Sequence, residues 1–169
     1  MQSPDKSVPS VAAEASPYQS ELIKFRITVR NTTDSVLYIL TVTIPSGIGP
    51  RARLLGILQL NEKEEWVNIG YNYDLPADTA SRLRPHESQV FIELIENPLL
   101  VPSKKSGVPA DKLSLAPTQG KFKVRLGYFR GLAQWQAHLK YITNYSGPHP
   151  HPEFVESAEF EIAGNPPKP

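Results

Sequence analysis

At 169 residues, with a formal net charge of +1 and 21% charged residues, the chain is sized for one hydrophobic core and carries no overall field to attract nucleic acid or an acidic partner. The absence of cysteine excludes a disulfide framework, thiolate catalysis, iron-sulfur clusters and cysteine-bound zinc. No apolar run reaches the ~20 residues of a membrane-spanning helix, and the N-terminus lacks the charged start and apolar middle of a signal peptide.

Residues 1–20, MQSPDKSVPSVAAEASPYQS, are rich in Pro, Ser and Ala without a hydrophobic period, which predicts a disordered leader or linker. Such segments often follow a removed export signal or lipid anchor, and this points to a periplasmic, cell-surface or secreted location. One domain is expected over 21–163, with 164–169 as a tail. From Leu22, the residues Ile23, Phe25, Ile27 and Val29 alternate with Lys24, Arg26, Thr28 and Arg30, giving a strand with one wet face. Asn31 to Ser35 supplies turn formers, and Val36 to Ile44 is apolar on both faces, so the second strand is expected to be more central than the first.

After the breakers Pro45 and Gly47 to Pro50, Leu54 to Leu60 reads as a third strand. Asn61 to Glu65 then turns into a fourth, Trp66 to Tyr73, with Val67, Ile69, Tyr71 and Tyr73 on one face. PADTASRLR, before Pro85, is expected to form one helical turn. Ser88 to Ile95 is the fifth predicted strand, and Glu96 to Thr118, with Pro98, Pro102, Pro109 and Pro117, is a long proline-rich loop.

Next, Phe122, Val124, Leu126 and Tyr128 alternate with Lys121, Lys123 and Arg125, and Trp135, Ala137, Leu139 and Tyr141 alternate with Gln134, Gln136, His138 and Lys140. This predicts a β-hairpin turning at Arg130-Gly131, with a basic outer face of Lys121, Lys123, Arg125, His138 and Lys140. A last strand, Glu156 to Ile162, is expected to turn Ala158, Phe160 and Ile162 inward and to set Glu159 and Glu161 against those cations. Short strands with turn signals between them and almost no helical period predict an all-β fold, an antiparallel β-sandwich of about seven to eight strands with one long Pro-rich loop.

The chain resembles immunoglobulin-like and fibronectin-type-III-like domains. Phe25 to Thr32, FRITVRNT, looks like an early strand ending in a polar turn. Leu83 to Ser88, LRPHES, resembles the proline turn before a middle strand, and Gly120 to Leu126, GKFKVRL, resembles a late one. The resemblance spans roughly 22–162 and implies an immunoglobulin-like sandwich; no function follows from it.

Three constellations are candidates for chemistry. In SGPHPHPE, Ser146 to Glu153, an extended backbone puts His149 and His151 on one side, which gives two of the three or four ligands a zinc-type site needs; Glu153, His138 and His86 are the remaining candidates. Trp66, Tyr71, Tyr73 and Tyr145 are aromatic residues at strand ends or loops, a pattern suited to sugar rings. The basic hairpin face lacks the interleaved aromatics of a nucleic-acid site, so no nucleic acid is expected. There is no GxSxG, HExxH or glycine-rich phosphate loop. Asn31 and Asn144 begin Asn-x-Ser/Thr triplets. The expected protein is therefore a non-enzymatic binding or structural module of a cell envelope or exported protein, without cofactor, with a protein or carbohydrate partner. The alternatives are a carbohydrate-binding module using the aromatics, and a metal-binding or hydrolytic protein centred on His149 and His151.

Overall fold

The computed structural model describes residues 7–42, 49–70, 79–102, 113–116, 118–144 and 147–164. The first strands are β1 (Ser10–Tyr18), β2 (Leu22–Arg30), β3 (Leu37–Val42), β4 (Arg51–Ala52), β5 (Leu55–Leu60), β6 (Trp66–Asn68) and β7 (Thr79–Leu83). They are followed by β8 (Ser88–Glu96), β9 (Leu99–Pro102), β10 (Leu113–Ala116), β11 (Gly120–Arg130), the helix α1 (Gly131–Asn144), β12 (Glu153–Glu156) and β13 (Phe160–Ile162). The small sheet has the order β1-β2-β8. The large one runs β4-β3-β11-β5-β6, with β7 on β3 and β12 and β13 on β11. Among the described residues all pairings are antiparallel and there is one helix, and the fold is an all-β sandwich.

Period-2 alternation builds the interior. Ile23, Phe25, Ile27 and Val29 of β2 and Phe91 and Ile95 of β8 face Leu37, Ile39, Leu55, Ile57, Phe122, Val124, Leu126 and Tyr128 of the large sheet, all buried in one cluster. Phe25, Phe122 and Phe160 meet between the sheets with centroids 6.0 to 6.2 Å apart.

Strand β11 is the spine of the large sheet. Arg125 and Leu126 pair with Gly56 and Leu55 along one edge and with Glu156 and Val155 along the other. Between β12 and β13, Ser157 continues the ladder: its N–H donates to the Val124 carbonyl at 2.8 Å, and its Oγ accepts from the Val124 N–H at 2.9 Å. At the far end Arg130 donates to both carboxylate oxygens of Glu153, at 2.9 and 3.1 Å, and to the Ser7 carbonyl at 2.6 Å. A bidentate guanidinium–carboxylate pair fixes direction as well as distance. It anchors the start of β12, where Phe154 lies.

The largest departure from the sequence reading is 131–144. This segment is α1, and no hairpin arm follows β11. Trp135, Ala137, Leu139 and Tyr141 satisfy a period of two, yet Trp135, His138 and Leu139 also satisfy i, i+3, i+4. The run LAQWQAHLK contains no β-branched residue to oppose a helix. Gly131, at φ +79°, turns the chain out of β11 in the left-handed region where glycine is unstrained. Gln134 reaches back, its Oε1 accepting the Arg130 N–H at 3.0 Å. The helix buries Tyr38, Leu40, Phe129 and Trp135 in a second core outside the sandwich, with Tyr38 and Trp135 stacked at 5.9 Å. That second core is why β3 is apolar on both faces.

Other expectations shift as well. Residues 10–18, predicted within a disordered leader, form β1 and pair with β2 along its full length, from Ser10 opposite Arg30 to Tyr18 opposite Leu22. Backbone pairing needs no large side chains, and Val11, Ala13 and Ala15 are enough to close the core beside β2. Thr79–Leu83, read as part of a helical turn, is a strand on β3. The predicted loop 96–118 contains the β9–β10 hairpin. The last strand begins at Glu153 instead of Glu156, is broken at Ser157, and leaves Ala158 exposed.

Candidate functional site

The outer face of the large sheet follows from the register. Lys123 lies opposite Leu58 and Arg125 opposite Gly56 on β5; Trp66 and Asn68 on β6 lie opposite Leu60 and Leu58. On the other edge of β11, Glu156 lies opposite Arg125 and Phe154 opposite Gly127. These side chains form a diagonal across four strands. The Lys123 ammonium sits 4.6 Å from the Trp66 ring centre and 2.7 Å from Glu156 Oε2, and the Arg125 guanidinium lies 4.2 Å from the Phe154 ring centre. Phe154 is 45% exposed, far more than a packed aromatic needs.

Gly127 makes room for that ring. A Cβ there would lie 2.8 Å from Leu54 Cβ and 2.9 Å from Phe154 Cε1. Gly127→Ala is therefore expected to cost about 1–3 kcal/mol by overpacking and to displace Phe154. Chemical denaturation and the ring's NMR shifts would check both; an unchanged midpoint would show that the ring yields freely.

Charge is unevenly satisfied along this face. Lys121 lies opposite Glu161, and Lys123 holds Glu156. Among the described residues Arg125 makes no ion pair, since Glu156 is turned toward Lys123. The expected basic row thus exists on β11, but His138 and Lys140 belong to α1 and not to the sheet. Of the aromatic candidates, Trp66 lies on this face, half-buried under Lys123. Tyr71, Tyr73 and Tyr145 fall outside the described residues. Sequence reasoning missed Phe154, although EFVE carries the alternation that places Phe154 and Glu156 on one face.

The histidine loop meets the helix. His149 stacks on Tyr141 at 4.1 Å between ring centres, and His151 lies 5.4 Å from His149. His138 is 9% exposed, 4.7 Å from the Phe129 ring and 5.7 Å from the Trp135 ring, with no hydrogen-bond partner on Nδ1. His86 is elsewhere, in the Arg84–Glu87 turn, where its N–H donates to the Asn31 carbonyl. Among the described residues no three His, Asp or Glu side chains are grouped to hold a metal ion. What the loop does in this arrangement is hold an imidazole against α1.

Burial, then the nearby His149 and Arg53 charges, lowers the His138 pKa below its ordinary value. The sign follows directly: a histidine depressed in the folded state adds stability that is fully present above about pH 6.5 and is lost as pH falls through its folded pKa. The melting temperature is expected to fall on acidification more steeply in the wild type than in His138→Phe. Parallel curves would rule His138 out as the source.

Asn31 is fully buried, its amide donating to the Ser35 and Leu83 carbonyls at 2.7 and 2.9 Å and its Oδ1 accepting from Thr33. Its triplet is a turn-building device in the folded chain. Asn144, at the end of α1, is exposed. No protein-family model matches the chain, and no curated protein matches it.

Proposed function

We propose that the chain is a non-enzymatic binding module and that the outer face of its large sheet is the contact surface. The diagonal Trp66, Lys123, Glu156, Arg125, Phe154 carries this reading: two aromatic rings are kept at the surface, each held by a cation on the spine strand. Exposed aromatics supply apolar contact area at small cost in side-chain freedom, and the cations add direction. The Arg130–Glu153 clamp and Gly127 place Phe154 before any ligand arrives, which lowers the ordering cost of binding. Trp66 favours a carbohydrate as the ligand. An immunoglobulin-like kinship and an exported or cell-envelope setting belong to the same proposal, and the two packed antiparallel sheets support the first of them. No helix among the described residues is long and apolar enough to cross a membrane.

Titration with neutral and acidic oligosaccharides should change tryptophan fluorescence in the wild-type protein. The response should vanish in Trp66→Ala, while Trp135, buried between α1 and β3, still reports an intact fold. A response that survives both Trp66→Ala and Phe154→Ala would take the contact surface away from this face.

A further inference from the structure

Resting on that reading of the face, we infer that its ligand is an acidic polysaccharide bearing carboxylates of the uronic-acid type, and that Arg125 is the residue that reads the carboxylate. Three cations stand in a row on β11: Lys123 bonds Glu156 at 2.7 Å, and Lys121 lies opposite Glu161 without an ion pair among the described residues. Arg125 has no ion pair among the described residues. It lies instead on the Phe154 ring, exposed, with Gly56 opposite it on β5 and therefore no side chain over it from that strand. A guanidinium held 4.2 Å from the centre of an aromatic ring still has N–H groups for a planar anion, and the match to a carboxylate is bidentate.

The shape of the surface selects a polymer. Trp66 pairs with Leu60, which is level with Lys121, and Phe154 pairs with Gly127, so the two rings are offset by six residues along β11 and three strand spacings across it. With about 3.3 Å per residue and about 4.8 Å per strand spacing, their backbone positions are about 25 Å apart, and the side chains between them bridge the gap, Trp66 on Lys123 and Lys123 on Glu156. A chain of sugars reaches both, stacking on the rings and passing Lys123 and Arg125 between them. An acidic peptide is the less suited occupant, because extended peptides dock on sheets by main-chain bonding at an edge strand, and this surface is a face.

The test is isothermal titration calorimetry with an oligouronate, the same oligosaccharide after carboxyl reduction, and polyglutamate. The wild type should bind the oligouronate about tenfold or more tightly than its reduced form, in line with one charge-assisted contact, and the difference should shrink in raised salt. Arg125→Gln should erase that difference, and Arg125→Lys should restore only part of it. Both variants should melt with the wild type, since Arg125 is exposed. Equal, Trp66-dependent binding of the oligouronate and its reduced form would overturn the uronate inference and leave the carbohydrate-binding face standing. Polyglutamate bound as tightly as the oligouronate would overturn it in favour of an acidic peptide. Failure of all three to bind would overturn the inference and the carbohydrate reading together.

Discussion

Glu93→Ala is expected to cost about 3–5 kcal/mol of stability, because it takes a counter-charge away from a buried guanidinium. Glu93 lies on β8 opposite Phe25, so its side chain points into the sandwich, and it is 2% exposed. Arg51 of β4 comes from the other sheet to within 3.4 Å of its Oε1, which also accepts from the Leu94 N–H at 3.1 Å. The Ile92 N–H bonds the Pro50 carbonyl at 3.2 Å, so the same contact brings β4 against β8 along one side of the sandwich. Removing either ion is costly while removing both is less so, because an apolar pair of similar size spares both desolvation costs. Urea unfolding should therefore place Glu93→Ala well below the wild type and the double variant Arg51→Met/Glu93→Leu close to it. A single-variant cost below about 1 kcal/mol would mean that water reaches the pair, as at an ordinary surface salt bridge.

That ion pair also shows where the sequence stops being informative. In SQVFIELIE, Val90, Ile92 and Leu94 share one face, and Phe91, Glu93 and Ile95 share the other. In the fold the inward set is Phe91, Glu93 and Ile95, since these are the positions in register with Ile27, Phe25 and Ile23. Alternation fixes that the faces differ; the pairing partner decides which one is inside. The strands β2, β3, β5, β8 and β11 were legible because each carries apolar residues at every second position against a polar or equally apolar partner set. Strand β1 was not, because Ala13 and Ala15 give too little hydrophobic contrast to stand out in a Pro- and Ser-rich run. Helix α1 is not legible because a four-position apolar pattern cannot separate a period of two from one of 3.6, and the preceding strand favours the first. For the candidate site, Trp66 and the cations of β11 were visible as residues. Their meeting with Phe154 depends on where β12 pairs, and no single-chain pattern encodes that register.

Trp135→Ala is expected to destabilise the protein by about 3–5 kcal/mol, the usual cost of truncating a large core aromatic. The side chain is 8% exposed and stacks on Tyr38 at 5.9 Å, with Phe129 at 6.4 Å and His138 at 5.7 Å. It is the principal knob by which α1 covers β3, for the helix otherwise brings only Leu139 to that small cluster as a partly buried apolar neighbour. The sandwich interior is separate: Leu37 and Ile39 point away from the helix into the larger core, while Tyr38 and Leu40 point toward it. Losing Trp135 should therefore loosen α1 first, and hydrogen exchange should accelerate along 131–144 before it does along β2 and β11. Any oligosaccharide response at Trp66 should persist below the melting transition, because the proposed contact face is built on β5, β6, β11 and β12 and not on α1. Uniform acceleration of exchange across both cores would show instead that helix and sandwich unfold as one unit, with β3 transmitting the loss from one face to the other.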